Sequence, residues 1–182
     1  MSDFKDWKKS QGYGDPKKGK SIFDWPLTFK YRGTFDYDGL MAVIRSYYAS
    51  VKIDKLDEPK FKYKVGGGGK AELEFKLYGD MKATGYTKIF LQIEGHMWNV
   101  ERGKPSNGKI ELKIQSGFIH DYAKGYDENS ALHRWMLGKI HKPNKGKGMA
   151  FADLKAEGKK NAEKVANNLL TKIKSFIGVE CV

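Results

Sequence analysis

Cysteine, arginine and long apolar runs are scarce in this 182-residue chain. Its one cysteine, Cys181, excludes an internal disulfide framework and a cysteine-based zinc site. No apolar run approaches the roughly 18 residues that a membrane-spanning helix needs. No apolar stretch follows the N-terminal lysines, as it would in a secretory signal. We therefore expect a protein without transmembrane segments that works in the cytoplasm or inside a virion.

The remaining composition is that of a folded domain. Hydrophobic residues make up 40% of the chain and aromatic residues 13%, which is enough for a core. Residues 1–26 have no sustained period and contain glycine and proline breakers, yet they are rich in aromatic residues. We predict an N-terminal arm over residues 1–26 that docks on its own domain, on a neighbouring subunit or on nucleobases. Residues 27–182 are predicted to form a single domain.

Hydrophobic periodicity predicts the first two elements. Apolar residues alternate with polar ones over residues 27–35, which is typical of a half-buried strand. Asp36 or Asp38 then provides a helix cap, and an apolar stripe that includes Leu40 and Ile44 predicts a helix that ends near residue 50. A short strand over 51–56 and a break at residues 57–59 are expected to follow.

A run of strands and two further helices complete the predicted order. Residues 61–65, 73–77, 84–100 and 110–118 alternate as strands, with a flexible Gly66–Gly69 connection between the first two. Gly95 is interpreted as a bulge, and Asn107-Gly108 as a hairpin turn. Ser130 or Asp127 is expected to cap a second helix. The last helix is predicted over residues 151–177, weakened by Gly158 and stopped by Gly178.

These elements predict an α+β fold, with an antiparallel meander of about five strands, helices packed on one face and a long C-terminal helix. In element order the chain resembles the helix-grip layout of START-like domains. That resemblance implies a sheet curled around the last helix, with room for a cavity.

Charge is the most informative feature. The formal net charge is +12, and four of the 34 basic residues are arginine, which leaves 30 lysines. Lysine acts as a solvated point charge, so this excess favours contact with a polyanion backbone over base readout. Residues 139–174 contain ten lysines and three acidic residues, a local net charge of +7. We therefore expect the positive field to be centred on the C-terminal third.

The first functional hypothesis is a non-enzymatic basic domain that contacts nucleic-acid backbone or another polyanion. The predicted contact lysines lie in the C-terminal third and in the arm: Lys139, Lys142, Lys145, Lys147, Lys159, Lys160, Lys8, Lys9, Lys17 and Lys18. Three arm aromatics, Trp7, Tyr13 and Trp25, are predicted to stack on bases or to dock the arm.

Catalytic and metal-binding patterns are weak in the sequence. The GGGGKA run lacks the first glycine and the final Ser or Thr of a phosphate-binding loop. The four histidines form no pair at i+2 or i+4, and His120-Asp121 would need a third group to act as an acid–base pair. Neighbouring carboxylates are explained by helix capping and turns. We accordingly predict no catalytic residue, no metal site and no cofactor.

Two alternative functions stay open. One is a structural subunit of a homomeric assembly, such as a virion or filament component, in which the aromatic arm docks on a neighbouring copy. The other is a helix-grip-like domain that binds a small molecule or lipid, with Tyr47, Tyr48, Trp98 and Trp135 as lining residues.

Overall fold

A computed structural model describes residues 27–53, 55–66, 70–83, 87–120, 130–132, 135–136 and 151–179. Five strands and two long helices are assigned in them. They are β1 (Leu27–Phe35), α1 (Tyr37–Ser50), β2 (Lys55–Val65), β3 (Ala71–Lys82), β4 (Thr87–Val100), β5 (Ser106–His120) and α2 (Phe151–Ile177). Residues 131–132 and 135–136 are also helical. The arm predicted over residues 1–26 lies outside the described residues, so the division at residue 26 stays a prediction.

The strands form one antiparallel sheet in the order β1-β5-β4-β3-β2. The strands β2 to β5 are consecutive neighbours, and β1 adds to the free edge of β5, where Phe29 lies opposite Leu112. Both helices pack against the same face, here called the inner face. The core joins Leu40 and Ile44 of α1 to Leu169 and Ile173 of α2 and to the inner-face residues of the sheet. The predicted α+β class is therefore confirmed.

Local sequence explains where α1 begins. Asp36 has an extended backbone and its carboxylate accepts a hydrogen bond from the Asp38 backbone N–H at 3.0 Å. That bond satisfies one of the N–H groups that a helix start leaves free. Within the helix, Leu40 and Ile44 are fully buried, as are most of the neighbouring apolar positions on the same stripe.

The long helix α2 passes close to the sheet at a glycine. A Cβ added at Gly158 would lie 3.1 Å from the ring of Phe118 on β5, and Gly158 itself is buried. The residue expected to weaken the helix thus allows it to approach β5 closely. The helix ends as predicted, because Gly178 has a φ of +79° and the Val179 N–H donates to the Lys174 carbonyl.

Four expectations about the strands were wrong. The short strand expected over residues 51–56 does not form as such, because residues 51–52 are a turn after α1 and β2 begins at Lys55. The break at residues 57–59 lies within β2, where the register shifts between Asp57 and Lys60. Proline has no backbone N–H to donate. An edge strand such as β2 can contain Pro59 because one side of the strand forms no hydrogen bonds with a neighbouring strand. Gly95 marks no bulge, since its pairing with Phe75 and Leu112 is in register. Residues 107–108 belong to β5, and the chain turns at residues 101–105, where Gly103 has a φ of +75°.

Candidate functional site

The sheet face that points away from α1 and α2, here called the outer face, is divided into two halves. In one half, Tyr78 and Phe90 are 2% exposed, with ring centroids 6.2 Å apart, and Gln92 is also buried. The other half carries eight basic and four acidic side chains and is here called the charged half. Its basic residues are Lys30, Arg32, Lys60, Lys62, Lys64, Lys76, Lys109 and Lys113, and its acidic residues are Glu72, Glu74, Glu94 and Glu111.

Strand register creates this arrangement. Residues that lie directly opposite each other on neighbouring strands share a face. One row across the sheet therefore contains Lys62, Glu74, His96, Glu111 and Lys30, in that order. The carboxylates of β3 and β5 thus lie beside lysines of the two edge strands, β2 and β1, and His96 of β4 lies between the carboxylates.

Acidic side chains neutralise part of the positive charge of the charged half. Lys60 pairs with Glu74, Lys76 Nζ lies 3.0 Å from Glu94 Oε1, and Glu111 is shared by Lys30 and Lys109. The hydrogen bond from Lys60 holds the pKa of the Glu74 carboxyl below its usual range, with further help from nearby positive charges. Among the described residues, no salt bridge is formed by four exposed cations of this half: Arg32, Lys62, Lys64 and Lys113.

His96 lies at the centre of the charged half, between two carboxylates of β3. Its Nε2 is 2.5 Å from Glu72 Oε1 and 4.0 Å from Glu74 Oε1. The three side chains are partly exposed, and one ligand atom from each lies within 4.8 Å of the others. An imidazole nitrogen with two carboxylate oxygens is a donor set that divalent transition metals accept.

Aromatic contacts fix the position of the His96 ring. The ring stacks on Trp98, two residues along the same strand face, with centroids 3.7 Å apart and planes 29° apart. Lys109 Nζ lies 4.4 Å from the centroid of the Trp98 ring, an arrangement that permits a cation–π interaction. His96 is therefore held by a hydrogen-bonded carboxylate on β3 and by a ring that Lys109 also contacts.

A shallow depression of about 400 Å³ opens beside His96. Its wall includes charged side chains from β2 to β5 and the backbone at Gly95, and the full lining is Lys60, Glu74, Phe75, Lys76, Glu94, Gly95, His96, Glu111 and Lys113. The depression offers both cationic and anionic groups to a ligand. Its openness to solvent leaves space for water or an extended chain above the three central side chains.

Of the predicted polyanion-binding residues, the structure describes Lys159 and Lys160. Both are exposed on α2, where Lys159 Nζ lies 3.7 Å from Glu163 Oε1. They lie on the helix layer, on the side of the sheet opposite the charged half. The other predicted residues are outside the described ranges: Lys139, Lys142, Lys145, Lys147, Lys8, Lys9, Lys17, Lys18, Trp7, Tyr13 and Trp25.

The aromatics suggested as the lining of a helix-grip cavity do not surround one space. Tyr47 and Tyr48 belong to the core on the inner face, whereas Trp98 lies on the outer face and Trp135 is 57% exposed. A different groove, of about 370 Å³, lies between the β1–β5 edge and α2; its lining is Leu27, Ile114, Ser116, Lys159, Glu163, Ala166 and Asn167. The small-molecule hypothesis stays a prediction.

The Glu72–Glu74–His96 cluster was not predicted from the sequence, because its members come from two strands. Glu72 and Glu74 show the i,i+2 spacing that puts both on one strand face. That spacing was a usable signal. The third member, His96, is 22 residues beyond Glu74, and only the β3–β4 register sets it opposite Glu74.

Comparisons with protein-family models, with curated proteins and with solved structures found no match to this chain. Among the described residues, no helix has the length and apolar character needed to cross a membrane. Any functional assignment therefore rests on the geometry of the site.

Proposed function

We propose that this protein is a non-enzymatic binding domain that contacts a polyanion, such as nucleic-acid backbone, through the charged half of its outer face. The observation that carries the proposal is a set of four exposed cations that form no salt bridge with any residue that the structure describes: Arg32, Lys62, Lys64 and Lys113. A cation already paired with a carboxylate gains less from a phosphate, because the carboxylate must first be displaced. None of these four forms a salt bridge with another described residue, so a phosphate need not displace one from them.

The spread of the four cations favours a polymer over a small anion. Arg32 lies on β1 and Lys64 on β2, the two edge strands. Neighbouring strands are about 4.8 Å apart, so four spacings separate these positions by roughly 19 Å. One phosphate group cannot contact both ends, whereas an extended chain with repeated negative charges can. Lysine dominance in the set favours contact with the backbone without base readout.

The test is binding of a fluorescein-labelled 20-nucleotide single strand, followed by fluorescence anisotropy at several salt concentrations. The wild-type protein is expected to bind more weakly as salt rises, because bound cations release counterions from the strand. Changing all four residues to glutamine is expected to lower affinity at least about tenfold at low salt. The slope of log K against log salt should fall in magnitude by up to about 3, since each lost phosphate contact contributes about 0.7 for a single strand.

A matched control removes the same charge from α2 through Lys159→Gln, Lys160→Gln, Lys164→Gln and Lys172→Gln. The net charge of the protein changes equally in the two variants. We expect a smaller loss of affinity in the α2 variant, which would show that binding depends on the charged half and not on the net charge of the whole protein. An equal loss in both variants, or wild-type binding that does not respond to salt, would overturn the proposed surface. A loss confined to the α2 variant would favour the C-terminal lysines predicted from the sequence.

A further inference from the structure

The cluster of Glu72, Glu74 and His96 combines two carboxylates with an imidazole, and polyanion binding does not require this combination. These groups lie on the adjacent strands β3 and β4, neither of which is an edge strand of the sheet. Cross-strand pairing sets Glu74 directly opposite His96, and Glu72 is the next residue of β3 on the same face. Short loops play no part in this placement, so the cluster rests on the most regular part of the fold.

The distances suit three ligands of one ion. Metal–nitrogen and metal–oxygen bonds of about 2.0–2.1 Å in a tetrahedral site place neighbouring ligand atoms about 3.3 Å apart. In the cluster, His96 Nε2 is 2.5 Å from one carboxylate oxygen and 4.0 Å from the other. One separation is shorter and one longer than this value, and both carboxylates are on partly exposed side chains that can rotate.

Ligand type and surroundings narrow the class of ion. An imidazole nitrogen with carboxylate oxygens suits a borderline divalent ion such as Zn²⁺, whereas Ca²⁺ prefers oxygen ligands alone. The stack on Trp98 already holds the His96 ring in one orientation. Metal binding therefore costs this side chain little further conformational entropy. The adjacent depression gives space for water as a fourth ligand.

We propose that Glu72, Glu74 and His96 form a solvent-open site for a divalent transition-metal ion, with Zn²⁺ as the reference ion. Three protein ligands leave one coordination position open to water. Lys60 opposes the ion because its ammonium group pairs with Glu74. The metal ion and Lys60 would therefore compete for the Glu74 carboxylate. Metal binding at this site does not depend on polyanion binding.

The experiment titrates the full chain with Zn²⁺ and follows the imidazole nitrogen signals of histidine by ¹⁵N NMR. Co²⁺ serves as a second probe, since tetrahedral coordination gives it visible absorption. Saturable Zn²⁺ binding with a shift of the His96 signals is expected. The His96→Gln and Glu72→Gln variants are each expected to lower affinity at least about tenfold, as is typical when part of a metal's coordination environment is removed. Circular dichroism checks that each variant is folded.

Two further variants make the test specific. Lys60→Gln removes the competing cation and is expected to raise Zn²⁺ affinity about two- to fivefold, the order expected from a partly exposed ion pair. A variant that was merely destabilised would not bind more tightly. Glu101→Gln makes the same charge change as Glu72→Gln outside the cluster and should leave affinity unchanged. Unchanged binding in His96→Gln, or no binding of Zn²⁺ by the folded wild type up to millimolar concentration, would overturn the site.

Discussion

The Tyr47 hydroxyl donates a hydrogen bond of 2.8 Å to the carbonyl oxygen of Val165, across 118 residues of sequence. This bond joins α1 to α2 on the inner face of the sheet, where Tyr47 is 3% exposed. Two helices that are remote in the chain are thus tied by a polar contact as well as by apolar packing. The helices α1 and α2 are therefore joined to each other as well as to the inner face of the sheet.

Removing this hydroxyl is expected to destabilise the protein. Tyr47→Phe should lower the free energy of unfolding by about 1 kcal/mol, the usual net value of one hydrogen bond. Urea unfolding followed by circular dichroism measures the change. Tyr31→Phe is the control, because its 3.4 Å contact with the Thr34 carbonyl is exposed, and it should change stability by less than about 0.5 kcal/mol. Equal effects in the two variants would contradict the role of the interhelical bond.

A second prediction concerns the space above Gly95. A Cβ there would lie 2.1 Å from Phe75 Cε1, and the Phe75 ring is buried in the core. We expect Gly95→Ala to destabilise the protein by about 1–3 kcal/mol, because the ring must leave its packed position. Combining Gly95→Ala with Phe75→Leu should cost less than the sum of the single changes, measured by the same unfolding experiment. If the losses of unfolding free energy in the two single variants simply add in the double variant, contact with the Phe75 ring is not the cause of the destabilisation by Gly95→Ala.

A third prediction follows from buried phenols. Burial raises the pKa of the Tyr48 hydroxyl well above the ordinary phenol value of 10.0, and this hydroxyl donates to the Leu91 carbonyl at 3.3 Å. Because the folded-state pKa is raised, the neutral phenol's contribution to stability is complete below about pH 10 and decreases above it. Wild-type stability should therefore fall more between pH 9 and pH 11.5 than that of Tyr48→Phe. Parallel pH profiles of the two proteins, measured by urea unfolding, would contradict this.

The start of α1 provides a fourth prediction. Asp36→Ala removes the side chain that accepts from the Asp38 N–H, and it should cost about 1 kcal/mol of unfolding free energy. Asp36→Asn retains a side-chain oxygen at the cap and is expected to lose much less. Thermal unfolding of the two variants under identical conditions measures the difference. A loss of the same size in Asp36→Asn would assign the effect to charge and not to the hydrogen bond.

Most elements of this fold were predictable because their signals are local. Alternation over residues 27–35 and the apolar stripe of α1 depend on positions a few residues apart, and the structure has both elements at those positions. The long C-terminal helix spans Phe151–Ile177 as predicted. Turn signals were less reliable: Asn107-Gly108 has a hairpin composition, yet pairing with Thr34 and Gly33 of β1 extends β5 through it.

The candidate site shows the opposite case. The alternation of lysine and glutamate with apolar residues determined that each strand has a charged face, since successive side chains point to opposite sides. Which charges become neighbours was decided by register, as when Glu74 is set opposite His96. The sequence by itself determined the α+β composition, the helix ends and the excess of lysine. Only the tertiary structure decided which cations form no salt bridge within the described part of the chain and which three side chains meet, because strand pairing joins residues whose separation along the chain contains no local signal.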